Sequence, residues 1–200
     1  MTARSSPLVL VKEDEVRSRV AALGAEVSAS YPDGVVLVGL LKAGVWLLAD
    51  LVRQMSVSCQ VDFLGVSSYG PERRARVIQD VEVDLAGRDV VLVDALVDTG
   101  LKASFAIGEL ARRGARSVEV CALVDRRARR IVPTPVRFCG FEYPIAEVLD
   151  PVGWGLDNAQ QHRNLPHLAG VARPLGGSFP GGDGTGRWGS VAVHLQAPEK

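Results

Sequence analysis

Two carboxylates, a hydroxyl and a glycine stand close together in Val90-Val91-Leu92-Val93-Asp94-Ala95-Leu96-Val97-Asp98-Thr99-Gly100. If a strand ends and a helix begins here, the backbone N–H groups of Thr99 to Lys102 form an anion cradle beside the carboxylates. A carboxylate pair next to such a cradle points to a phosphorylated substrate with Mg²⁺ between them. Asp98 also suits a helix N-cap assisted by Thr99, so both readings stand. Asp94 is harder to explain structurally, because a carboxylate in an apolar strand costs free energy unless it is paired, hydrogen-bonded or metal-bound. Lys42, in the short loop Leu41-Lys42-Ala43-Gly44, marks a second place where a ligand could meet backbone N–H groups. Taken alone, a plain strand-to-helix connection explains it more simply. The cationic run Arg126-Arg127-Ala128-Arg129-Arg130 reads first as a solvated edge and second as a phosphate or base contact.

Other chemistries lack support. No GxGxxG or GxxxxGK[ST] follows any strand-like run, which removes the dinucleotide and P-loop signatures. His162, His167 and His194 have no metal spacing and read as surface residues. Cys59, Cys121 and Cys139 form no CxxC pair and lie in or beside apolar runs, so they read as reduced thiols of a cytoplasmic protein.

These residues need elements to position them. Val90 to Val93 is apolar at consecutive positions, as in a strand buried on both faces of a parallel sheet. That places Asp94 and Asp98 at its carboxyl end, where open α/β sheets bind ligands. A helix is predicted from Leu101 to Arg113, closed by Arg112, Arg113 and Gly114. Upstream, the spacing predicts a helix over 11–28, a turn at 31–34, a strand over 35–40, a helix over 45–55 and a strand over 59–66. Residues 71–80 are charged and read as a mobile loop or the start of a hairpin. Downstream, strands are predicted over 117–125 and 136–141. Strand and helix alternate, which argues for an α/β fold whose parallel sheet has helices on both faces. From Gly170 the chain is rich in Gly and Pro and reads as disordered, with Trp188 an incidental aromatic. Two hundred residues with zero formal net charge suit one domain, and no global field favours nucleic acid or a membrane. No signal peptide or membrane-spanning run is visible.

Several segments, in order, resemble hypoxanthine-guanine phosphoribosyltransferases of the type I phosphoribosyltransferase superfamily. They are residues 38–44, 61–63, 67–70, 91–100, 122–125, 136–144 and 153–157, closed by Arg163-Asn164-Leu165-Pro166-His167. The resemblance spans about Val9 to Val171. It implies a phosphoribosyltransferase domain over 1–170 with a Gly/Pro-rich tail over 171–200. The implied fold is type I: a central, mostly parallel sheet flanked by helices, with a small hood and a mobile loop.

The implied reaction moves a phosphoribosyl group from Mg²⁺-bound phosphoribosyl pyrophosphate to a purine nitrogen, releasing pyrophosphate. By similarity, Leu41, Lys42, Ala43 and Gly44 form the pyrophosphate loop, with an unusual peptide geometry. Ser68 and Tyr69 lie on the loop that closes over the reaction. Asp98 acts as general base at the purine imidazole. Thr99, Gly100, Leu101 and Lys102 hold the 5-phosphate, Asp94 faces ribose and metal, Asp157 contacts a second Mg²⁺, and Arg163 meets the pyrophosphate. A homodimer or homotetramer is implied as well.

The departures from the family pattern are specific. Its paired acids are here Asp94 and Ala95, so one is shortened and the other is lost; losing such a support costs roughly 10–100-fold in metal affinity or activity. Lys102 replaces a hydroxyl residue, and Arg126 replaces a purine-reading lysine. Asp150 stands where an aromatic should stack on the base, and Trp154 is the nearby candidate to restore stacking. A carboxylate in the base pocket favours an exocyclic amine over a lone carbonyl. An amino-bearing purine, a deazapurine analogue or an altered sugar donor is therefore expected, which suits specialised nucleoside biosynthesis better than purine salvage. The alternative is a catalytically impaired homologue that binds nucleotide or phosphoribosyl pyrophosphate as a regulator, with Ala95 and Lys102 as its support.

Overall fold

The structure is a computed structural model and describes residues 7–69, 74–143 and 149–172. The continuous apolar runs become the middle of a six-stranded sheet: β2 (Val35–Leu41), β5 (Asp89–Val97) and β6 (Ser117–Asp125), buried along nearly their whole length. With β1 at Leu8–Val11, the remaining strands are β3 (Cys59–Tyr69), β4 (Arg74–Gln79), β7 (Phe138–Glu142), β8 (Leu149–Val152) and β9 (Leu168–Ala172). The sheet order is β4-β3-β2-β5-β6-β7, parallel throughout except for the antiparallel edge strand β4. Parallel neighbours need crossovers: α2 (Gly44–Val52) links β2 to β3 and α3 (Leu101–Arg112) links β5 to β6, while α1 (Glu13–Ser30) joins β1 to β2.

The helices divide between the two faces as their apolar stripes require. Val16, Val20, Leu23 and Val27 of α1 and Leu47, Leu48 and Leu51 of α2 pack with Leu37, Val91, Val93 and Leu123 on one face. Ala103, Ala106 and Leu110 of α3 cover Val36, Val38, Val90 and Leu92 on the other. The helix over 11–28 starts two residues later than its periodicity suggests. There Glu15 Oε2 accepts from the Lys12 backbone N–H at 2.9 Å and closes the first turn. Residues 74–79 settle as a hairpin strand against β3, which itself runs on to Tyr69. A separate three-stranded antiparallel sheet, β1-β9-β8, joins the two ends of the described chain and forms the hood. β9 reaches Ala172, so Gly170 and the two residues after it are strand. Residues 173–200, including Trp188 and His194, lie outside the described residues.

The three cysteines are free. Cys121 and Cys139 are buried and Cys59 half-buried, and burial raises all three thiols, that of Cys139 to about 12. They pack as small apolar groups. Among the described residues no helix is long and apolar enough to cross a membrane.

Candidate active site

The carboxyl ends of β2 and β5 lie side by side, and the site is built from the loop leaving each strand. After β2, the Leu41–Lys42 peptide is cis, matching the unusual geometry expected of this loop. Gly44 opens α2 directly over β5: a Cβ there would stand 2.5 Å from the Val93 carbonyl oxygen, so only glycine allows the approach. On its other side the loop meets Gly155, where a Cβ would lie 2.7 Å from the Ala43 carbonyl oxygen.

After β5, Asp98-Thr99-Gly100 turns into α3. Gly100 is the N-cap with φ +84°, and a Cβ there would meet the Val132 carbonyl oxygen at 2.5 Å. Asp98 is therefore not the cap. Thr99 helps instead, its Oγ1 accepting from the Leu101 N–H at 3.4 Å. A strap over 131–134 fixes the turn from outside. Ile131 and Val132 donate their N–H groups to the Thr99 carbonyl at 2.8 and 3.1 Å, and the Thr134 hydroxyl donates to the Gly100 carbonyl at 3.3 Å.

The cationic run is not the solvated edge that charge patterning favours. Asp125, the last residue of β6, is 1% exposed and needs counter-charges. Arg130 pairs with one of its oxygens and Arg127 with the other at 3.2 Å, and Arg127 also reaches Glu142 at 3.1 Å. Arg130 further donates to the Asp98 carbonyl at 3.0 Å. Arg126 is 3% exposed, with its guanidinium 5.2 Å over the Tyr143 ring and donating to Asp150 Oδ1 at 3.2 Å. Its Nε lies 4.0 Å from Asp98 Oδ1, and Arg129 Nη1 lies 3.4 Å from Asp98 Oδ2. These two are charge contacts without hydrogen-bond alignment, so Asp98 Oδ1 and Arg129 Nη1 remain buried with no hydrogen-bond partner. Arg126 thus stands between Asp98 and Asp150, and the Asp98 Oδ1 beside it is left as an unmet acceptor.

Asp94 lies elsewhere in its strand than the sequence suggests. β5 continues to Val97, so Asp94 sits inside it, opposite Ala122, and is 4% exposed. Burial raises its carboxyl above the ordinary carboxylate range. The Lys102 ammonium and the N–H groups of Ala95 and Leu96 pull it back in part. The penalty is absent below the ordinary value of 3.8, builds as pH rises from there to the raised value, and is fully present above it. Asp94→Asn is therefore expected to melt higher than the parent near neutral pH, with the gap closing towards pH 4, while activity falls roughly 10–100-fold. Thermal melts across that range check the first part: an equal gap at every pH would contradict it.

Ala95 is fully buried in the core on the α1 side, with no carboxylate to offer. Among the described residues no cluster of three or more His, Cys, Asp or Glu side chains could hold a metal ion. Asp157 is already engaged: Oδ1 pairs with Arg163 Nη2 at 2.7 Å, and Oδ2 accepts from the Gln160 N–H at 2.8 Å. Arg163 also donates to the Gly155 carbonyl at 2.6 Å, which ties this pair to the loop Gly155 packs on. Among the described residues, the protein side chains alone do not build a resident Mg²⁺ site.

Trp154 does not restore stacking. Its ring is in the α1-side core with the Arg17 guanidinium 5.4 Å over it, so it offers no face to a base. Tyr143, which lies in the 136–144 segment but is given no role there, is the aromatic that meets Arg126. Ser68 and Tyr69 close β3, but their side chains, and residues 70–73 of the expected closing loop, lie outside the described residues.

A mostly parallel sheet with two adjacent loops at its carboxyl edge and an antiparallel hood is the architecture of the type I phosphoribosyltransferase class. The phosphoribosyl transferase domain family matches residues 14–150. Hypoxanthine phosphoribosyltransferase from Escherichia coli K12 is 38% identical over 170 residues, covering 82% of this chain and 94% of the relative. Hypoxanthine-guanine phosphoribosyltransferase from Bacillus subtilis is 35% identical, covering 83% and 93%. A crystal structure of hypoxanthine phosphoribosyltransferase from Staphylococcus aureus superposes with a TM-score of 0.76 at 28% identity, covering 86% of this chain and 92% of that one. The chain belongs to the hypoxanthine-guanine phosphoribosyltransferase family, and its enzyme type is a phosphoribosyltransferase acting on a purine base.

Proposed function

We propose that the chain transfers phosphoribosyl from phosphoribosyl pyrophosphate to an amino-bearing purine or deazapurine through Asp98. The unmet Oδ1 acceptor of Asp98 carries this reading. A neutral imidazole-type N–H of the base meets it, and taking that proton sharpens the base nitrogen as nucleophile toward the sugar C1′. Pyrophosphate leaves toward Lys42, Ala43 and Gly44, with Arg163 beside them. Thr99, Gly100 and Leu101 hold the 5-phosphate with backbone N–H groups at the start of α3. Ser68 and Tyr69 close over the reacting atoms. Asp94 on the ribose side and Asp157 on the pyrophosphate side are the carboxylates that would face a donor-bound Mg²⁺, which would neutralise phosphate charge.

The base preference comes from Arg126 and Asp150. The guanidinium donates and the carboxylate accepts, so their pair matches a base edge carrying both a carbonyl and an amine. Hypoxanthine has only the carbonyl. Calorimetry with donor, excess Mg²⁺ and a panel of purines and deazapurines is expected to rank an amino-bearing base first. Hypoxanthine binding as tightly as any of them would overturn this preference. The reducing cytoplasm fits the free buried thiols. A homodimer or homotetramer fits the exposed Val61, Phe63 and Ile78 of the β3–β4 edge.

A further inference from the structure

Lys102 and Ala95 are both departures from the family pattern: Lys102 lies in the first turn of α3, and Ala95, beside Asp94 in β5, faces the α1-side core. Lys102 Nζ crosses from the first turn of α3 to donate to the Leu41 carbonyl oxygen at 3.1 Å. The same ammonium pulls down the carboxyl of the buried Asp94, whose strand neighbour Ala95 lacks the second carboxylate. Relative to two acids and a hydroxyl, the site has lost one negative charge and gained one positive charge. The bond also has a geometric consequence. The Leu41 carbonyl and the Lys42 N–H belong to one planar peptide, so holding the oxygen orients the N–H that the pyrophosphate loop presents. The ammonium has two further N–H donors and is exposed, so it can serve the loop and a phosphate oxygen together.

We propose that Lys102 is a positioning residue that ties the 5-phosphate turn to the pyrophosphate loop and lends its charge to the diphosphate, so that donor binding leans less on Mg²⁺ than a two-carboxylate site would. This rests on the phosphoribosyltransferase reading of the site. It accounts for both departures with one arrangement: the ammonium supplies positive charge where one fewer carboxylate remains to attract a metal ion.

The test is calorimetry of inorganic pyrophosphate with the full chain, in excess Mg²⁺ and in a chelator, on the wild type and Lys102→Thr. Without metal, Lys102→Thr is expected to bind pyrophosphate roughly 10-fold more weakly, the scale of one charge-assisted contact. With excess Mg²⁺ the two should differ by less than about threefold, as the ion covers the missing charge. Steady-state rates give the second readout: in Lys102→Thr the donor KM rises at limiting Mg²⁺ and recovers at saturating Mg²⁺, with kcat little changed. Equal metal-free binding by both proteins, or a KM increase that ignores Mg²⁺, overturns the role of Lys102 alone. Wild type that binds neither pyrophosphate nor phosphoribosyl pyrophosphate under either condition overturns the functional reading and this inference with it.

Discussion

Asp98→Asn is expected to lower kcat by roughly 10²–10⁴-fold, the range over which a positioned general base contributes. The substitution keeps shape and volume and removes the charge and the proton-accepting oxygen, the group left without a hydrogen-bond partner in the buried site. The main-chain contacts of this turn do not involve the side chain. Arg130 donates to the Asp98 carbonyl, and the strap donates to Thr99. The fold and the donor KM should therefore change little, and steady-state kinetics beside a thermal melt separates two possibilities. If Asp98 serves only as counter-charge for Arg126 and Arg129, the variant melts lower and turns over within a few-fold of the parent. If it is the base, turnover collapses with the melt nearly unchanged.

Asp125→Ala carries the largest expected effect on stability. Its carboxylate is buried at the end of β6 and holds Arg130 on one oxygen and Arg127 on the other. Arg130, with only 14% of its side chain exposed, would be left without its charge partner. Removing one partner of a buried pair costs about 3–5 kcal/mol. For a chain of this size that is a fall in Tm of roughly 6–20 °C. The damage should reach the site, because Arg130 braces the Asp98 turn and the strap over 131–134 comes directly after it in the chain. Base affinity is expected to fall along with Tm. A melting point within a degree of the parent would show that the arginine run is held by something other than Asp125.

Much of this is readable from residue order, for physical reasons that differ by element. β2, β5 and β6 are buried on both faces, so each shows as an unbroken apolar run, and the helices between them carry the expected stripes. The hood is not readable from pattern. Its strands are four or five residues long, contain Pro151 and Gly170, and pair Leu8 with Gly170 across almost the whole described chain. β3 reads short in the sequence because its outer end, Ser67-Ser68-Tyr69, is polar and owes its extension to pairing with β4.

In the site, Asp98, the Lys42 loop and the Asp157–Arg163 segment are visible as residue types in register. The arginine run misleads because a charge run alone does not reveal its partner. The clue is Asp125 directly before it, an acid closing a buried strand. Proximity in sequence suggests Trp154 for stacking, and its φ of +48° turns it into the core instead. The partner of Lys102 is a backbone carbonyl, which no side-chain pattern can announce.

The departures at Ala95, Lys102, Arg126 and Asp150 are thus not scattered losses. Two of them, Arg126 and Asp150, form one ion pair at the base end. Of the other two, Lys102 holds the Leu41 carbonyl and its charge acts on the buried Asp94, the strand neighbour of Ala95.

Pyrophosphate release from phosphoribosyl pyrophosphate, measured with excess Mg²⁺ against a panel of purine and deazapurine bases, tests the central claim most directly. The expected result is release that requires a base, is matched one to one by nucleotide formed, and is lost in Asp98→Asn. Release with no base of the panel, from a protein that calorimetry shows to bind the donor, would contradict it and leave a donor-binding regulator in its place.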